Sequence, residues 1–125
     1  MADPFYITTP IYYVTDAPHI GHLYTTVAGD IMARYQRLLG KDVWYLTGTD
    51  EHGQKIQKKA KENNETPQAL ADRVVERYRE AWKVYGIQYN DFIRTTEERH
   101  KKVVHQYVQT LMEAGDIYLA EYEGW

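Results

Sequence analysis

The stretch Phe5-Tyr6-Ile7-Thr8-Thr9-Pro10-Ile11-Tyr12-Tyr13-Val14-Thr15-Asp16-Ala17-Pro18-His19-Ile20-Gly21-His22 decides the fold. Its opening residues are β-branched or aromatic and stop at Pro10, which has no backbone donor for a ladder, so a short strand is predicted over 5–9. Residues 10–18 hold Pro10, Asp16 and Pro18 and read as a loop. From Ile20 the pattern turns helical. Leu23, Val27, Ile31, Tyr35 and Leu38 recur at near-four spacing and are expected to face the core, with Gly40 as the stop. In an open α/β sheet, ligands gather beyond the carboxyl ends of the strands, where the first strand feeds the first helix.

A helix start presents free N–H groups and partial positive charge, a ready environment for phosphate. His19 and His22 flank Gly21 there, and their ring N–H groups can donate to oxygens on which charge develops. Gly21, lacking a side chain, lets a flat ring approach the backbone. The bland alternative makes His19 a residue that merely begins the helix and His22 a solvated first-turn residue. That suits a lone histidine better than this tetrapeptide placed after a strand and a proline loop.

Working outward, Val43-Trp44-Tyr45-Leu46 reads as a buried strand ended by Thr47-Gly48-Thr49-Asp50. Residues 54–63 form a short helix whose Lys55, Lys58, Lys59 and Lys61 recur irregularly, as on a solvated face. Thr66 caps a helix that has Pro67 in its first turn. That helix is expected to bury Leu70, Val74, Tyr78 and Trp82, with Tyr85 at the margin, and to stop at Gly86. Phe92-Ile93-Arg94 suggests another strand. Thr95 and Glu98 suggest a capping box, opening a helix with Val104, Tyr107, Val108, Leu111 and Met112 inside and Gly115 at its end. Trp82, Tyr107 and Leu111 read as interior. Ile117 to Tyr122 reads as a final strand, broken off at Trp125 as though half a fold had been cut there. Alternating strands and helices imply an α/β architecture with a parallel sheet. Residues 1–4 are a lead-in, 5–115 the main body and 116–125 the start of a further region.

Composition narrows the class. Hydrophobic residues at 43% suffice for a core and 26% charged residues suit a globular chain. With 15 basic and 18 acidic residues the net charge is −3, which gives no whole-chain support for nucleic-acid binding. Absent cysteine rules out disulfides and thiolate metal sites and fits a reducing compartment. No apolar run approaches the ~20 residues of a membrane span, and no leader pattern opens the chain. The 12 tyrosines, apolar rings with polar tips, suit half-wet pockets.

The blocks Thr8-Thr9-Pro10-Ile11-Tyr12-Tyr13-Val14, Pro18-His19-Ile20-Gly21-His22, Leu46-Thr47-Gly48-Thr49-Asp50-Glu51-His52-Gly53 and Phe92-Ile93-Arg94-Thr95-Thr96-Glu97-Glu98-Arg99-His100-Lys101-Lys102 carry a resemblance. Together they resemble the methionyl-tRNA synthetases, class I enzymes, in their bacterial form, over residues 5 to 125. The resemblance implies the first half of a Rossmann-like nucleotide-binding fold, with 116–125 opening a connective region. It implies ATP-dependent activation of methionine to methionyl-adenylate and transfer to tRNA. It makes His19 and His22 catalytic, with His19, Gly21 and His22 on ATP. It puts Pro10, Ile11, Tyr13 and Asp50 on methionine, Asp50 holding the ammonium and the others walling the thioether.

Asp50 also reads as a turn aspartate capping the next helix, and Pro10, Ile11 and Tyr13 as loop residues packing on the core. Glu51 and His52 receive no role. The expected ligands are ATP, with Mg²⁺ carried on its phosphates, and methionine. A cytoplasmic setting, no membrane and no protein metal or zinc site are expected. The family's Lys-Met-Ser-Lys-Ser loop, zinc insertion and anticodon-reading helices do not occur in this sequence, so tRNA and the second catalytic half are expected as partners through missing parts. Two other readings stay open: a non-catalytic assembly fragment needing a complementing half, and a related nucleotidyltransferase with a His-x-Gly-His turn. The blocks at 8–14 and 46–53 argue against the latter.

Overall fold

A computed structural model describes residues 2–124. In order, the elements are β1 (Pro4–Thr8), β2 (Tyr12–Tyr13), α1 (Ile20–Leu38), β3 (Asp42–Asp50), α2 (Gln54–Glu62), α3 (Pro67–Val84), β4 (Asp91–Arg94) and α4 (Glu98–Ala114). They fall into two units, Met1–Thr95 and Thr96–Trp125.

In the first unit β3 is the hub. β1 pairs with it in parallel from Pro4↔Asp42 to Thr8↔Leu46, and β2 continues with Tyr12↔Thr49 and Tyr13↔Asp50. β4 pairs in parallel, from Leu46↔Asp91 to Thr49↔Arg94. Parallel neighbours need crossovers, and α1 supplies one while α2 and α3 supply the other. The expected α/β class with a parallel sheet is thus present. Strand β2 is an addition, since the sequence reads as continuous loop there, and β1 begins at Pro4 within the expected lead-in. Gly48 is required where β3 meets β4: a Cβ there would lie 2.0 Å from the Ile93 carbonyl oxygen.

Apolar burial holds this sheet between helices. Leu70, Val74, Tyr78 and Trp82 of α3 are buried as expected, beside Ile56 of α2 and Phe92 of β4, whereas Tyr85 is exposed. Thr66 caps α3, its hydroxyl accepting from the Ala69 N–H at 3.1 Å, with Pro67 in the first turn. On α1 the expected apolar stripe holds only at its start, where Leu23 packs against the core and Val27 is half-buried, and its later residues turn outward. Ile31, Tyr35 and Leu38 are exposed, and the buried residues are Thr26, Gly29, Asp30 and Ala33. Close approach to the sheet is the reason. The Tyr45 hydroxyl donates to the Thr26 carbonyl at 2.8 Å, and a Cβ on Gly29 would stand 2.9 Å from that hydroxyl. Small and polar residues occupy the face where it meets Tyr45.

The second unit departs further from expectation. Helix α4 ends as predicted on Gly115, in the left-handed conformation at φ 81°. Val104, Tyr107, Val108, Leu111 and Met112 are nevertheless exposed, so Tyr107 and Leu111 are not interior while Trp82 is. The capping box does not form: Glu97 takes the cap position without a side-chain bond to the helix's backbone N–H groups, and the Thr95 hydroxyl instead accepts from the Glu51 N–H at 2.9 Å. Ile117 to Tyr122 form no strand. A strand-like sequence needs a ladder partner to be one.

Candidate functional site

The site is built around the start of α1. His19 is its N-cap, with extended backbone at φ −119° and ψ 176°. Its ring Nδ1 accepts from the Gly21 N–H at 3.1 Å, and the His22 Nδ1 accepts in return from the His19 N–H at 3.1 Å. This is a capping box made of two imidazoles instead of the usual hydroxyl and carboxylate. The rings stack with centroids 3.7 Å apart.

The arrangement fixes their chemistry. A nitrogen accepting a backbone N–H carries a lone pair, so each neutral ring keeps its proton on Nε2. Two ring N–H donors therefore stand at the positive end of a 19-residue helix. Burial, and then the neighbouring His19, hold the His22 imidazole below its ordinary value of 6.5, favouring the neutral form. Gly21 has a local reason too: a Cβ would come within 3.0 Å of the His19 ring carbon Cε1.

A cavity of 310 Å³ opens beside these rings. Of the expected residues it is lined by Ile11, Tyr13, His19 and His22, joined by Tyr12, Thr15, Asp16, Ala17 and Tyr78. The structure thus gathers the β1–α1 loop and both histidines around one space. Gly21, Pro10 and Asp50 lie outside its lining. Asp50 remains adjacent, because it ends β3 directly opposite Tyr13 in the β2–β3 register. Lys55 sits over the Tyr13 ring at 5.7 Å.

Tyrosines hold the cavity's walls. The Tyr12 hydroxyl bonds the Thr26 hydroxyl at 2.9 Å and reaches the His22 carbonyl at 3.4 Å, tying β2 to α1. Its ring stacks on Tyr78 at 5.8 Å. Tyr78 was legible in the sequence only as a core position of α3. What brings it to the site is its hydroxyl, 3.3 Å from the His22 Nδ1.

Glu51, next to Asp50, is anchored structurally. Its side chain is fully buried and takes a two-pronged pair from Arg94, Nε to Oε1 at 2.7 Å and Nη2 to Oε2 at 2.9 Å. The Thr49 hydroxyl adds a bond to Oε1 at 2.6 Å. Arg94 Nη2 also reaches Asp72 of α3 at 2.5 Å. The His52 ring Nε2 lies 3.2 Å from the Thr95 carbonyl. These contacts pin the carboxyl end of β3 to β4 and α3, and so fix where Asp50 stands. The signal was spread over residues 43 positions apart and was not readable locally.

A strand feeding an imidazole-capped helix stands at the carboxyl ends of parallel strands, in a chain whose class the sequence comparisons define. The family model described as "tRNA synthetases class I (M)" matches residues 5–125, and the chain belongs to that family. Its relatives are the methionine enzymes. It is 64% identical over 121 residues to methionine–tRNA ligase 1 of Bacillus cereus, and 63% identical over 121 residues to methionine–tRNA ligase of Bacillus subtilis. Each alignment covers 97% of this chain and 18% of the relative, so the chain spans less than a fifth of their length. The solved Mycobacterium tuberculosis methionyl-tRNA synthetase in complex with methionyl-adenylate superposes with a TM-score of 0.95 at 41% identity. That match covers 98% of this chain and 24% of the solved one. The fold matches the N-terminal, Rossmann-like part of that synthetase type.

Proposed function

We propose that this chain supplies the ATP-phosphate and part of the methionine site of a methionine–tRNA ligase, His19 and His22 being its catalytic groups. The observation that carries this is the reciprocal imidazole cap, which leaves two Nε2–H donors at a helix N-terminus beside a cavity. In the reaction, a methionine carboxylate oxygen attacks the α-phosphorus of ATP, an acyl–phosphate bond forms, and pyrophosphate leaves. Both reactants are anionic, so the protein's work is positioning and charge stabilisation. The imidazole donors suit oxygens that gain charge at phosphorus, and Mg²⁺ enters on the phosphates. Gly21 lets adenine approach the helix start. Asp50, ending its strand beside Tyr13, pairs with the methionine ammonium while Pro10, Ile11 and Tyr13 wall the side chain. That the solved relative holds methionyl-adenylate supports this assignment.

Transfer to tRNA, partnership with a second catalytic half and a cytoplasmic setting belong to the same proposal. Among the described residues no helix is long and apolar enough to cross a membrane. The exposed Ile20, Tyr24 and Ile31 along α1 favour a second reading for the chain by itself, an assembly piece completed by another half. Pyrophosphate exchange into ATP separates the two. Methionine-dependent exchange by this chain, abolished in a folded His19→Ala/His22→Ala variant, supports the catalytic reading. Exchange that appears only with an added second half supports the assembly reading, and exchange unaffected by the double variant overturns the histidine assignment.

A further inference from the structure

We propose that Tyr78 is a positioning residue for His22, its phenol helping to hold the imidazole in the tautomer whose proton sits on Nε2. The reading rests on the proposed nucleotide site for its purpose, but its geometry exists without ligand. The Tyr78 ring is accounted for by packing: it stacks on Tyr12 and meets the edge of Trp82, at 5.8 Å each. Phenylalanine would fill that space equally well. A hydroxyl in a fully buried position needs a partner, and two acceptors are within reach. The Tyr13 carbonyl is at 3.5 Å, at the limit of a bond, and the His22 Nδ1 is nearer at 3.3 Å.

The direction of that bond is settled by a third group. The His19 N–H can only donate, and it donates to the same Nδ1 at 3.1 Å. Nδ1 is therefore unprotonated, and the phenol must donate as well. Burial, then Tyr12 and Asp16, push the Tyr78 hydroxyl up to about 12, so its proton stays on. One lone pair is shared by two donors, which fits both distances being longer than a single strong bond. Around the His22 ring stand His19, stacked at 3.7 Å, Tyr12 at 4.8 Å and Tyr78 at 5.5 Å. In the opposite tautomer, N–H would face N–H at His19, the cap would open, and a lone pair would be turned toward phosphate. Tyr78 thus acts through His22, adding to the His19 N–H in keeping the ring a donor at Nε2.

Nitrogen-resolved NMR of the histidine rings in the 125-residue chain tests this, with Tyr78→Phe as the comparison. In the wild-type chain the neutral His22 is expected as the Nε2–H tautomer, with a slowly exchanging Tyr78 hydroxyl proton showing an Overhauser contact to the His22 ring. Removing the hydroxyl should raise the proton affinity of His22 about two- to tenfold, the loss of one neutral hydrogen bond to the unprotonated ring, and admit some Nδ1–H form. Unchanged titration and tautomer in a folded variant overturn the proposal. So does a predominant Nδ1–H form, or a missing hydroxyl contact, in the wild-type chain, whether or not the variant folds. ATP–Mg²⁺ added to the same samples separates the layers. An intact tautomer and hydroxyl contact with no response to ATP keeps Tyr78 in its role and removes the nucleotide reading instead.

Discussion

Replacing Arg94 with alanine should be the most damaging single truncation of a charged residue in the Met1–Thr95 unit. Its guanidinium makes two bonds to a carboxylate that is 0% exposed, while Arg94 itself is 16% exposed. Side-chain bonding to Glu51 raises the Arg94 pKa against the cost of burial, a sign that the folded state stabilises the charged pair. Breaking a buried ion pair from one side typically costs about 3–5 kcal/mol, because the remaining charge loses its counter-ion. The lower end applies here, because the Thr49 hydroxyl still donates to Glu51. The Asp72 contact adds little, that carboxylate being 54% exposed. About 3 kcal/mol is roughly 150-fold in the folding equilibrium and a large share of the ~5–15 kcal/mol that holds a domain together. Urea unfolding followed by tryptophan fluorescence reads it, Trp82 being buried. At an m-value of ~1–3 kcal/mol/M the midpoint should fall by about 1–3 M. Glu51→Met with Arg94→Met should recover most of the loss, since well-packed apolar replacements of a buried pair are often neutral. An Arg94→Ala chain within about 0.5 kcal/mol of wild type would refute the reasoning. So would a double variant as unstable as the single one.

Two other outcomes follow from the site. His22 titrates below its ordinary 6.5 when folded, so on acidification the unfolded chain takes the proton first. Its contribution is complete above 6.5 and is lost as pH falls from there toward the lowered folded value. Urea midpoints at about pH 7.5 and about pH 5.5 should therefore differ more in the wild type than in His22→Gln, and equal differences would contradict this. Asp50→Ala should weaken methionine binding by a charge-assisted contact, ~1.5–3 kcal/mol, and leave ATP nearly untouched, as calorimetry with each ligand would show; equal losses would instead indicate a strand-end role.

The strand–loop–helix opening, the cap at Thr66 and the parallel sheet were legible because local chemistry decides them. Pro10 ends a ladder, Thr66 with Pro67 opens a helix, and both histidines sit where a helix must begin. The later part of the α1 stripe, Ile31, Tyr35 and Leu38, misled because periodicity assumes that hydrophobic residues point inward, while Gly29 and Thr26 are inside to let Tyr45 approach. Thr95 misled because a capping hydroxyl can be taken by a distant backbone N–H, here that of Glu51. Glu51 had no assigned role until Arg94 stood beside it, and Tyr78 was an apolar-face residue until its hydroxyl met His22. In each case the missing information was a contact between elements, which no local pattern carries.

We propose above all that His19 and His22 face ATP through Nε2–H donors held by their mutual cap. Titrating ATP–Mg²⁺ into the chain while following the ring nitrogens of its 5 histidines tests it most directly. The Nε2 signals of His19 and His22 should move together with a single affinity, both Nδ1 signals should remain those of acceptors, and His52, His100 and His105 should stay still. ATP binding that leaves the His19 and His22 rings unmoved would contradict it.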